Sequence, residues 1–278
     1  MARELSARVI SATVKELFLK ATVLLPQDME EAIRAHQGQG GLEGYVMASI
    51  LKNSEIAREE NIPLCQDTGA AIVFVQLGQD VHIVDGFIGE AIQQGVREAY
   101  GEGFLRKSIC NPLSRKNTSD NTPTFIHYDV VAGDSLTITA MPKGGGAENA
   151  SLIEMLTPAE GIEGIKKLVI NHLRKVGRNA CPPLTVGIGI GATLESVGVL
   201  AKKALLLPLK AINPDPTLAH LEAELLVAIN NLGFGAGGYG GWVSAFGVHI
   251  LTMPCHIACL PVAINIQCHA ARHLEVQL

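Results

Sequence analysis

Strand-like and helix-like segments follow one another along this 278-residue chain without strict alternation. That order constrains the fold more than any single motif does. A doubly wound nucleotide fold needs strand and helix in turn. Here "AAIVFVQL" at 70–77 leads into helical spacing over 86–100 and then a long polar stretch, 104–122. Two strand-like runs follow, "TFIHYDVV" and "SLTITAMP", joined by "AGD". The pattern predicts an α+β (mixed α/β) fold, a single domain over 1–278 with a mixed sheet surrounded by helices. Further helices are expected over 5–24, 28–60 (broken near "GQGGLEG" at 38–44), 157–177, 192–207 and 216–232. Further strands are expected at "LTVGIGIG" (184–191), "WVSAFGVHILTMP" and "LPVAINIQ". The start at Thr157 is the clearest, with an N-cap, Pro158 in the first helical position and Glu160 completing a capping box.

Three glycine-rich segments could present backbone N–H groups to an anion. "MPKGGGAENAS" at 141–151 has Lys143 ahead of its glycines, the reverse of a P-loop, and a helix is expected to start near Glu148. "GIGIGA" at 187–192 follows a strand and opens a helix, but it is spaced G-x-G-x-G with no acid about twenty residues on. Nucleotide binding and tight backbone packing both stay open for it, with the spacing against the former. "GFGAGGYGG" at 233–241 reads as a structural turn.

Apolar residues make up 47% of the chain and aromatics 4%, so the core must be aliphatic. Net charge is −5 with scattered basic residues, which excludes an electrostatic nucleic-acid footprint. The N-terminal segment is amphipathic and no run of 18 apolar residues occurs, so neither a signal peptide nor a membrane span is expected. The expectation is a cytoplasmic protein whose six cysteines (65, 110, 181, 255, 259 and 268) are reduced.

Cys65 precedes one expected strand, Cys181 precedes another, and Cys268 follows a third. Side chains at strand ends can converge on one cleft. No cysteine belongs to a C-x-x-C pair, which argues against a zinc knuckle or a thioredoxin motif. Three separated thiolates could hold an iron–sulfur cluster, although buried structural cysteines are common. The words around them narrow the choice. "PLCQDTG", "MPKGGGAENAS", "ACPPLTVGIGIGATLE" and "CHIACLPVAINIQCHAARH" together resemble the α subunit of the class I fumarase and L-tartrate dehydratase family, the iron–sulfur hydro-lyases. The motifs occur in the family's order over nearly the whole chain.

The resemblance implies that Cys65, Cys181 and Cys268 bind three irons of a 4Fe–4S cluster, leaving the fourth without a protein ligand. It implies substrate contacts from Gln66 and Asp67, from Arg106 by a looser local match, and from the Gly144, Gly145 and Gly146 loop. It places His256 in the substrate pocket. Cys255 and Cys259 stand where Thr and Ser are expected. They and Cys110 read as small structural thiols.

The chemistry explains the residue types. Dehydrating a 2-hydroxy dicarboxylate expels a poor leaving group and removes a proton beside an existing negative charge. An open iron position answers the first difficulty, and Asp67, adjacent to a ligand, is the candidate acid. Asp67 could instead cap the Thr68–Gly69 turn. Arg106, Lys143 and the glycine amides answer the second difficulty by gripping carboxylates. His256 is expected to donate to substrate or orient Asp67, or else to be a packed histidine. Cys268 lies near the C-terminus, and nothing resembles the family's second domain. A β subunit is therefore expected to complete the site, with α–α dimerisation besides. Fumarate to malate is the expected reaction, with L-tartrate dehydration as the alternative. A non-catalytic cluster or metal sensor and a nucleotide-binding enzyme are readings of other classes.

Overall fold

The computed structural model describes residues 3–38 and 40–278. In chain order the elements are β1 (Arg3–Ser6), α1 (Ala7–Val23), α2 (Gln27–His36), α3 (Gly41–Glu60), β2 (Ala70–Gly78), β3 (Val81–Val84), α4 (Ile88–Glu102), β4 (Phe125–Val131) and β5 (Leu136–Lys143). There follow α5 (Gly145–Asn149), β6 (Leu152–Leu156), α6 (Gly161–Val176), β7 (Leu184–Gly191), α7 (Leu194–Ala204), α8 (Pro216–Asn230), β8 (Ala245–Met253), β9 (Leu260–Gln267) and β10 (Leu274–Gln277). The class is α+β with mixed sheets, as the order of segments predicts. The chain divides into two compact units, the first of residues 3–26, 53–145 and 272–278 and the second of 27–38, 40–52 and 146–271.

In the first unit four strands lie in the order β10-β5-β2-β4. β2 runs parallel to β4 and antiparallel to β5, with Ile72 opposite Phe125 and Ala70 opposite Lys143. β10 is antiparallel to β5, with Leu274 opposite Ala140. One end of this sheet therefore collects the segments entering β2, β4 and β10 and the segment leaving β5. Ile10, Val14 and Phe18 of α1 and Ile92, Val96 and Tyr100 of α4 pack with Val73, Val75 and Ile138 of the sheet. Each buried aliphatic side chain there stabilises the unit by roughly 1.5–3 kcal/mol.

The second unit has a sheet in the order β6-β9-β7-β8. β7 is parallel to β8, Leu184 opposite Ala245, and antiparallel to β9, Thr185 opposite Gln267. Successive strand residues face opposite ways, which divides β7 between two helix layers. Val186 and Ile188 join Val169 and Leu173 of α6 and Leu225 and Ile229 of α8. Gly187 and Gly189 face α7 instead. A Cβ at Gly187 would lie 2.2 Å from the Ala201 carbonyl oxygen, and one at Gly189 2.3 Å from that of Val197. The glycines of "GIGIGA" let the α7 backbone rest directly on the sheet, so close packing accounts for their spacing.

The "GFGAGGYGG" segment is a turn, held by a residue that sequence reading passed over. The buried Glu43 carboxylate accepts hydrogen bonds from the Trp242 and Val243 amides, both at 2.9 Å.

Several expectations shift. The helix expected over 5–24 starts at Ala7, because residues 3–6 pair with β3. The break within 28–60 falls between α2 and α3, and Gln39 within it lies outside the described residues. The helix expected near Glu148 begins at Gly145. Thr157 to Glu160 forms the expected capping box on a tighter turn, and α6 proper begins at Gly161. Among the described residues, strands form two four-stranded sheets and a two-stranded one where a single sheet was expected.

Candidate active site

The richest polar network of the first unit centres on Asp67, in the segment entering β2. Its Oδ1 accepts the Gly69 amide at 3.1 Å, which closes the short turn. Its Oδ2 accepts the Gly145 amide at 2.7 Å. Turn capping and a site role thus coexist, since the second oxygen reaches the glycine loop at the end of β5. Gly69 makes this approach possible. Its φ is +85°, and a Cβ there would lie 2.7 Å from the Lys143 backbone.

Other segments hold the same turn. The Tyr100 hydroxyl, buried on α4, lies 2.7 Å from the Gly69 carbonyl and 3.0 Å from that of Thr68. Burial pushes the Tyr100 hydroxyl well above its ordinary pKa of 10.0. Arg272 nearby works against that shift and Asp67 with it. The Asn121 amide donates to the Gly69 carbonyl at 3.3 Å, and its carbonyl oxygen accepts the Ser108 amide at 2.7 Å. This anchors the long polar 104–122 stretch against the Asp67 turn. The Thr68 hydroxyl donates to the Arg106 carbonyl at 3.2 Å, leaving the Arg106 side chain exposed. Arg272 Nη2 donates to the Asp67 carbonyl at 3.0 Å.

Gln66 is exposed and Cys65 partly so. Gly144 is partly exposed, and Gly145 and Gly146 are exposed. A Cβ at Gly144 would lie 3.4 Å from Asp67 Oδ2 and 3.6 Å from Arg272 Nη2. Lys143, expected to touch substrate, is only 2% exposed.

In the second unit Cys181 and Cys268 stand at the same end of the sheet, one just before β7 and the other just after its antiparallel neighbour β9. Cys181 adopts a left-handed conformation with φ 55° and ψ 64°. Its carbonyl accepts the His269 amide at 3.1 Å and lies 3.0 Å from His269 Nδ1. The residue after Cys268 therefore grips Cys181. None of the six cysteines is in a disulfide.

His256 is elsewhere. It lies in the exposed turn between β8 and β9, at the opposite end of the sheet from Cys181 and Cys268. β9 has eight residues, so the two ends are separated by roughly 23 Å at about 3.3 Å per residue. His256 Nδ1 accepts the Ala258 amide at 3.1 Å, which places the proton of the neutral ring on Nε2. Cys255 Sγ donates to the Cys259 carbonyl at 3.3 Å across this turn, so the Cys255 thiol closes it locally.

Sequence reading missed Tyr100, Asn121 and Arg272. Arg272 had one signal, a lone basic residue four positions after Cys268 in a quoted motif. The other two carry none. Among the described residues, no three His, Cys, Asp or Glu side chains gather as ligands of a single metal ion. A cluster asks for a different arrangement, one thiolate on each of several irons. The donor set fits it in chemistry: Cys65, Cys181 and Cys268 are outside any disulfide, at least partly exposed, and placed at strand ends.

Comparison with known proteins makes the class definite. The family described as fumarate hydratase (Fumerase), whose members are hydro-lyases, matches residues 11–277, and the chain belongs to it. A relative in Methanocaldococcus jannaschii, named "Putative L(+)-tartrate dehydratase subunit alpha", is 42% identical over 271 residues, 95% of each chain. The L(+)-tartrate dehydratase subunit alpha of Escherichia coli (strain UTI89 / UPEC) is 34% identical over 81% of this chain and 75% of its own. That of Shigella boydii is 33% identical over the same shares. No helix among the described residues is long and apolar enough to cross a membrane.

Proposed function

We propose that this chain is the α subunit of an iron–sulfur hydro-lyase that dehydrates a four-carbon 2-hydroxy dicarboxylate, with L-tartrate as the preferred substrate. Fumarate and tartrate need the same grips, so residue chemistry does not separate them, and fumarate is the expectation from sequence. The relatives turn that preference, since those compared carry the tartrate dehydratase name. The single observation that carries the site reading is the placement of Cys181 and Cys268 at one sheet end, with His269, next to Cys268, bonded to the Cys181 carbonyl.

Cys65, Cys181 and Cys268 would hold a 4Fe–4S cluster. When bound, it supplies an open Lewis-acidic iron position for the substrate hydroxyl. The chain's own residues supply the rest. Asp67, two positions from Cys65 with both carboxylate oxygens aimed by backbone amides, hands a proton from a carboxyl oxygen to the departing hydroxyl. The exposed Arg106 guanidinium grips a substrate carboxylate in bidentate fashion. Gln66 and the exposed Gly145–Gly146 backbone orient the other end. Lys143, being buried, makes no direct substrate contact. His256 stands too far along its sheet to serve the Cys181–Cys268 end of its own chain. A β subunit supplies the base that takes the carbon-bound proton.

Anaerobic reconstitution with iron and sulfide tests this reading. The chain should turn brown with about four irons, as a [4Fe–4S] centre requires. Serine at Cys65, Cys181 or Cys268 should abolish the colour, and serine at Cys110, Cys255 or Cys259 should preserve it. With its β subunit it should turn over L-tartrate faster than malate. The reverse preference would restore the fumarate reading, and colour without activity on either acid would leave a sensor.

A further inference from the structure

Arg272 is a deeply buried charge in the first unit. It is 2% exposed, yet Nε and Nη1 have no hydrogen-bond partner among the described residues. Its one hydrogen bond runs from Nη2 to the Asp67 carbonyl. Burying a cation with so little compensation costs stability, and an apolar side chain of similar volume would be tolerated as well or better. Packing therefore does not explain an arginine here.

Its placement does. Asp67 is fixed at three atoms by three segments: Oδ1 by Gly69, Oδ2 by Gly145, and the carbonyl by Arg272. Only the last is donated by another residue's side chain, and it arrives from the segment entering β10. The guanidinium and the Asp67 carboxylate also flank Gly144, each within 4 Å of the point where a Cβ would sit. A fixed positive charge thus backs the place where the acid, and on the proposed reading the substrate carboxylates, concentrate negative charge.

We propose that Arg272 is a positioning residue: it pins the Asp67 peptide so that the carboxylate keeps its bond to Gly145 and its aim, and it does not touch substrate. Asp67 is the acid only on the function proposed above, and the inference rests on that reading. The unexposed guanidinium separates this role from a substrate grip, which belongs to the exposed Arg106.

The test uses the reconstituted αβ holoenzyme and the full α chain, with Arg272→Met and Arg272→Lys. Arg272→Met should keep its iron content and thermal midpoint. Its Gly145 amide should exchange with solvent about tenfold faster, as expected when a protecting bond opens locally. Its kcat should fall about 100-fold, the scale of a misplaced catalytic group. KM should change less than about threefold, the mark of an interaction made in the transition state. Arg272→Lys should recover part of kcat. Unchanged Gly145 exchange in Arg272→Met overturns the proposal whatever the activity. A raised KM with unchanged kcat overturns it in favour of substrate contact. Loss of iron and thermal midpoint in both variants overturns it in favour of a purely structural role. A wild-type holoenzyme inactive on both tartrate and malate would remove the proposed function, while Gly145 exchange still decides whether Arg272 positions Asp67.

Discussion

Replacing Tyr100 by phenylalanine removes one oxygen and leaves the packing of α4 almost untouched. The ring is fully buried against Phe18, with centroids 6.2 Å apart, so no cavity forms. The hydroxyl has a single proton, shared between the Gly69 carbonyl at 2.7 Å and the Thr68 carbonyl at 3.0 Å. The loss is therefore one strong hydrogen bond and partial desatisfaction of a buried acceptor, about 1–3 kcal/mol. Asn121 still donates to the Gly69 carbonyl, which favours the lower half of that range. A pH dependence distinguishes this cause from a packing defect. Burial raises the folded pKa above its ordinary 10.0. Below pH 10 both states hold the proton and the stabilisation is complete. Above pH 10 the unfolded chain releases the proton while the folded chain keeps it, so wild-type stability falls by about 1.4 kcal/mol per pH unit. The Tyr100→Phe variant has no hydroxyl to titrate and lacks that slope. Urea unfolding followed by far-ultraviolet circular dichroism should show wild type about 1–3 kcal/mol more stable than Tyr100→Phe at pH 8. The gap should close by about 1.4 kcal/mol at pH 11. A difference below about 0.5 kcal/mol at pH 8, less than a typical single bond, would refute the hydrogen-bond reasoning. A gap constant from pH 8 to 11 would refute the ionisation argument.

Two further outcomes concern the second unit. Gly189→Ala should destabilise by about 2–3 kcal/mol through overpacking against α7, read from the urea midpoint, and a neutral result would mean that α7 lifts off the sheet easily. His249 is buried with Nε2 unpartnered among the described residues, and burial lowers its pKa below 6.5 against the weaker opposing pull of Glu222 and Asp28. The unfolded chain then binds the proton first, so stability should fall as pH drops below about 6.5. His249→Leu should flatten that acid slope between pH 7 and 5, and an unchanged slope would assign it to other groups.

Much of the architecture was legible. β2, β4, β5, β7, β8 and β9 fall within a few residues of their expected places, because each is long enough to show an apolar run bounded by polar or glycine signals. β1, β3, β6 and β10 have four or five residues each and no periodicity to read. Their pairing supplies their stability, and β10 pairs with β5 across more than a hundred residues. The site divides the same way. Cys65, Gln66 and Asp67 announce themselves as a local word. Tyr100 and Asn121 hold the Gly69 carbonyl just after that word from 31 and 52 residues away, and Arg272 holds Asp67 from 205.

The order of apolar runs, the scattered charge and the motifs around three cysteines determined by themselves the α+β class and the hydro-lyase family. Local chemistry is written in neighbouring residues, and turns, caps and strand lengths follow from it. Only the tertiary structure decided that "GIGIGA" is a helix seat, that Arg272 backs Asp67, and that His256 faces away from the Cys181–Cys268 end of its sheet. Those outcomes depend on which strands pair and in what register. That choice balances packing over the whole chain, and no short stretch contains it.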